Sequence, residues 1–139
     1  MTVRFEALLT REVDRRVVVC ALIRQRELLA DPQCWTRGAL ARTLLKQAVV
    51  PLADNALSWS LTGALAPSML GILGPRASQV DWRRLQEASL VALWEALPAE
   101  HPRTNLITSD LDGFNDYVGT DHQDVLDLID RALDSLESD

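Results

Sequence analysis

The chain has 139 residues, 47% hydrophobic and 24% charged, an ordinary globular balance with enough apolar material for one core. It needs neither disulfides nor a metal as a staple. Twenty Asp/Glu against fourteen Lys/Arg leave a net charge of −6, which disfavours nucleic acid as a partner because phosphate contacts call for a basic surface.

The charge is unevenly spread. Residues 1–50 carry a balance of +4 and residues 51–139 a balance of −10. From Thr104 onward there are ten acids and one base, Arg131. A basic first helix packed near an acidic last helix explains this simply. An acidic face that mimics nucleic acid and binds a basic protein is the sharper alternative. Cys20 and Cys34, with a charged N-terminal stretch that has no long apolar run, lead us to expect a reducing cytoplasm.

In chain order, Thr10–Ala30 reads as a first long helix, with Val13, Val17, Cys20, Ala21 and Leu28 on one stripe and Cys20 as a small core residue. Asp31-Pro32 ends it. Residues 38–53 read either as a helix over 38–47 or as an irregular connection with a short extended piece at "AVVP". The uncharged run from Asn55 to Pro75 is about the length of a membrane span, yet it holds Ser58, Ser60, Thr62, Ser68, three glycines and Pro67. It reads instead as two short buried helices, 55–66 and 67–73, with Asp54 as N-cap of the first. Its small residues, Gly63 among them, predict a close approach by another backbone.

Residues 79–97 form a strong helix, capped by Ser78 or Asp81 and followed by Pro98. Residues 98–119 read as loop, punctuated by Pro98, Pro102, Gly113 and Gly119. A final helix starts from a capping box with Thr120 at N-cap and Gln123 at N3; Val125, Leu126, Ile129, Ala132, Leu133 and Leu136 form its apolar face. Trp59 and Trp94 are expected to be largely buried.

The densest polar stretch is "DLDGFNDYVGTDH", Asp110 to His122. Clustered oxygen ligands suit a hard cation, so Asp110, Asp112 and Asp116 are the candidate metal ligands, although Phe114 and Gly113 depart from calcium-loop spacing. Acids ahead of a helix N-terminus are the ordinary alternative. Asn115, Asp116, His122, Trp35 and Arg37 are the candidate ligand-binding residues. Asn115 and Asp116 equally suit holding a turn through backbone hydrogen bonds. Arg37 beside Cys34 is weak evidence for a reactive thiolate. Phosphate-loop, nucleophile-elbow and zincin motifs are absent, so no cofactor is implied and an enzyme is disfavoured.

Three pieces in order, "WTRGALAR" (35–42), "ALSWSLTGAL" (56–65) and "FNDYVGTDHQDVLDLIDRAL" (114–133), resemble a bacterial and phage family catalogued as domain of unknown function 6197. The matching positions are Trp35 and Gly38; Trp59, Gly63 and Ala64; Asn115 and Asp116; Thr120; and Asp124, Val125 and Leu126. The resemblance implies a small, mostly helical soluble domain and brings no activity or catalytic residues. Ser60 stands where many members carry Cys.

The resulting expectation is a mainly α, single compact domain over residues 1–139. It has four to five helices and an irregular loop before the C-terminal helix. Its expected role is a non-enzymatic interaction or accessory domain, with an unknown protein partner or a second copy in a dimer, and no membrane. Small-ligand or divalent-metal binding by the 110–122 stretch is the alternative.

Overall fold

The computed structural model describes residues 2–138, with side chains from Arg15 to Ser138. Helix α1 (Thr2–Leu29) buries Val18, Ala21, Leu22, Gln25 and Leu29, one stripe of the 3.6-residue repeat. This stripe is rotated by about one residue from the expected one, and Cys20 is exposed. Val17 to Ile23 is apolar on every side, so periodicity cannot choose the face; packing against α2, α3 and α5 chooses it. Val13 lies outside the described side chains.

A 3₁₀ turn, Pro32–Cys34, follows, its entry capped by the Asp31 carboxylate accepting from Gln33 N at 2.9 Å. Residues 38–53 are not helical. They hold β1 (Ala41–Arg42) and β2 (Ala48–Val49), which join β3 (Ser58–Trp59) in an antiparallel sheet of order β2-β1-β3. Ala41 faces both Val49 and Trp59. The β1–β2 turn closes through Lys46 N to Thr43 O and Thr43 N to Gln47 O, both 2.9 Å, with Lys46 at φ 69°. The outer side of β3 bridges to Trp35, leaving β2 at the sheet's edge.

The expected helix over 55–66 does not form: β3 and a run of turns occupy it, and Asp54 is exposed in a turn with no helix to cap. One short helix, α2 (Leu65–Leu73), takes Pro67 in its first turn, where no intrahelical N–H is required. The segment is nevertheless central, since Leu61, Ala64, Leu65 and Met69 are almost fully buried.

Helix α3 (Gln79–Glu95) starts as expected from Ser78, whose Oγ accepts from Asp81 N at 3.1 Å. The expected loop 98–119 instead contains helix α4 (Ile107–Asp116), so most of the polar stretch is helical. Helix α5 (His122–Glu137) has its capping box one residue later than expected. Asp121 is the N-cap and Asp124 is N3, because both carboxylates reach backbone N–H groups, at 2.8 and 3.0 Å. Thr120 is buried and Gln123 bonds Asp127 instead.

All five helices, with Leu61 and Ala64, supply one apolar cluster. Burying a leucine there contributes roughly 2 kcal/mol each. Trp59 and Trp94 are only half-buried, and each satisfies its indole N–H, on Pro51 O and on Asp110, both at 2.9 Å. Arg26 of α1 pairs with Asp130 of α5 at 2.6 Å, so basic and acidic helices do meet. Among the described residues no helix is long and apolar enough to cross a membrane.

Candidate functional site

Helix α4 places Asn115 at a position with no exposed surface, facing the segments before β1 and after β3. Its carboxamide oxygen accepts from Trp35 Nε1 at 2.7 Å and from Leu61 N at 2.9 Å. Its nitrogen donates to Thr36 O at 3.1 Å and to Asp116 Oδ1 at 2.9 Å. A carboxamide offers two donors and two lone pairs, so Asn115 is saturated and holds nothing back for a substrate.

The neighbours extend this node. Asp116 Oδ1 also accepts from Gly38 N at 2.9 Å, and Gly38 sits at φ 76°, a conformation that favours glycine. The Leu61 peptide bonds Asn115 through its N–H and accepts from Gln25 Nε2 through its carbonyl, at 2.7 Å. Ser60 N donates to Leu40 O at 3.0 Å, and that same carbonyl would lie 1.9 Å from any Cβ placed on Gly63. The close backbone approach expected at Gly63 is therefore real, but it is made by the residue entering β1 rather than by another helix.

Arg37 stacks over the Trp35 ring, 4.9 Å from its centroid, and donates to Thr120 O. His122 Nε2 donates to Leu29 O at 2.6 Å, satisfying a carbonyl in the last turn of α1, and its ring lies 6.0 Å from Trp35. The five residues expected to bind a ligand thus gather in one place, and all five hydrogen-bond each other or backbone.

The three expected metal ligands part company. Asp110 faces the end of α3: it accepts from Thr104 Oγ1 at 2.6 Å and from Thr104 N and Trp94 Nε1, both at 2.9 Å. These bonds, the Thr104 hydroxyl first, hold its carboxyl below the usual range. Asp112 accepts from Thr62 Oγ1 at 2.6 Å. Burial pushes its pKa up, Asp116 adds to this, and the Thr62 bond opposes it. Asp112 and Asp116, one turn apart, share a hollow of about 220 Å³ with Ser60 and Gly38. Among the described residues no group of three or more His, Cys, Asp or Glu is arranged to hold a metal ion.

The Cys34 thiol is pushed up, chiefly by burial and then by Asp31, which works against a thiolate at neutral pH. Gln25 and Thr36 were not visible as members of the node. Gln25 had a signal: it is the polar residue on the stripe Val18, Leu22, Gln25, Leu29. Thr36 contributes only its backbone carbonyl, which no sequence pattern reveals.

Residues 16–135 match the model of a family described as a family of unknown function, DUF6197, and the chain belongs to that family. No curated protein and no solved structure matches it.

Proposed function

We propose that this member of DUF6197 is a non-enzymatic interaction domain that self-associates through its β1–β2 hairpin and the adjoining edge of β3. The observation that carries the reading is a set of apolar side chains left in water. Leu44 and Leu45, at the hairpin tip, are 75% and 79% exposed; Val50 is 69% and Leu57 50%. Leu44, Leu45 and Leu57 border one hollow of about 300 Å³, so they are neighbours. Contiguous apolar surface of this kind marks contact sites.

The sheet supports a second copy as the occupant. Strand β2 is an edge, and an edge strand carries backbone donors and acceptors that another strand can pair. Two β2 edges related by a two-fold axis would bury the same leucines from both copies. The saturated node around Asn115 supports a non-enzymatic role, because its polar atoms are committed to the fold.

Sedimentation velocity from micromolar to near-millimolar protein tests this. Concentration-dependent dimerisation that disappears in Leu44→Ser/Leu45→Ser supports the reading, and a monomer throughout overturns it. A second reading, a divalent cation or small polar ligand held by Asp112 and Asp116, draws on their shared hollow and on the raised Asp112. Its check is a rise in melting temperature with magnesium or calcium that Asp112→Asn abolishes. An acidic decoy surface on α5 draws least support, since Arg26 and Arg131 interrupt that face.

A further inference from the structure

On the far side of α4 a cleft of about 640 Å³ opens between the 98–102 segment and α5. Its size falls in the range of small-molecule sites. Phe114, 5% exposed, and Tyr117, 60% exposed, supply aromatic walls. His101 stands edge-on to Phe114 with ring centroids 5.6 Å apart, and its Nε2 donates to Asp110 O at 3.3 Å, which fixes the ring.

The polar lining is one-sided. Asp124 and Asp127 are three residues apart on α5 and so share a face, and Glu100 lines the cleft from the 98–102 segment. Arg131 is the lining arginine, and its Nε is tied to Ala96 O at 3.1 Å. A concave wall with this excess of carboxylate concentrates negative potential. The acids do not converge as a metal ion requires. Spaced carboxylates between aromatic faces suit an extended organic cation, which takes ion pairing from the acids and cation–π attraction from the rings.

We propose that this cleft binds a small organic cation, a primary amine or guanidinium on a short apolar body. The site uses different residues from the hairpin and stands or falls independently of self-association.

Phenethylamine is the probe, with 2-phenylethanol as its neutral counterpart and 3-phenylpropionate as the anion. Binding is read from amide shifts in ¹H–¹⁵N NMR spectra of the full chain. The amine is expected to move the amides of Tyr117, Gly119 and Thr120, at least about fivefold more tightly than the alcohol, and to weaken as salt is added. Asp127→Asn, at a carboxylate that accepts from exposed Gln123, is expected to weaken the amine about threefold to tenfold and leave the alcohol unchanged. Tyr117→Ala is expected to weaken both. Equal binding of amine and alcohol, tighter binding of the anion, shifts confined to other surfaces, or no shift at tens of millimolar would each overturn the proposal.

Discussion

The node around Asn115 and the β1–β2 hairpin lie a few residues apart in the fold and obey opposite rules. In the node, Trp35, Thr36, Leu61 and Asp116 take all four hydrogen-bonding positions of Asn115, which is at zero exposure, and Gly38 bonds Asp116. In the hairpin, Leu44 and Leu45 stand in water. The residues that look chemical hold the fold together, whereas the residues that look like core remain at the surface. A buried amide with four partners is a cross-link between distant segments. Its removal strands each partner without a bond.

This contrast can be broken most forcefully at Gly63. Gly63→Ala places a Cβ 1.9 Å from Leu40 O, a backbone atom that cannot rotate away, so β1 and the 60–64 turn must separate. A loss of about 3 kcal/mol or more is expected, read as the urea midpoint or as failure to fold. Next is Asn115→Asp, which turns a donor into an anion facing Thr36 O and Asp116. It should cost about 3 kcal/mol at pH 7. Its pKa would be raised in the folded state, so the deficit relative to wild type should shrink as pH falls through that raised value, because the protonated acid can donate again. A deficit independent of pH would show that Asn115 matters by shape alone.

The wild type offers a smaller test. Asp110 has a depressed folded pKa, so its stabilisation is present above the unfolded value near about 4 and is lost as pH falls through the folded one. Asp112, raised by burial, works the other way and favours the folded state on acidification. Asp110→Asn should therefore flatten the acid limb of a stability–pH profile, and Asp112→Asn should steepen it. The smallest expected effect on stability is at the hairpin. At concentrations where the wild type is monomeric, Leu44→Ser/Leu45→Ser should leave the unfolding free energy within about 0.5 kcal/mol of wild type, because neither side chain is buried within one copy.

The long helices were legible because capping and periodicity agree in them. Ser78 opens α3 where expected, and the apolar face of α5 is the buried one. Helix α4 was not, because its N-cap, Leu106, makes no side-chain cap bond and Gly113 within it is a poor helix former. The device that holds its start is Asp110 reaching back to Thr104, a bond the sequence does not announce. The three strands are two residues each, too short for alternation to show, and pairings such as Trp35 with Trp59 fix them. Asn115 and Asp116 were visible as a candidate pair. Their partners at Trp35, Gly38 and Leu61 lie more than fifty residues away, so their structural purpose emerged only with the fold.

The most direct measurement is sedimentation velocity on the wild type and on Leu44→Ser/Leu45→Ser, side by side over the same concentrations. Wild-type dimerisation, with a folded and strictly monomeric variant, is the predicted result. A monomeric wild type, or a variant that dimerises as well as the wild type, would contradict the assignment of the hairpin as the contact surface.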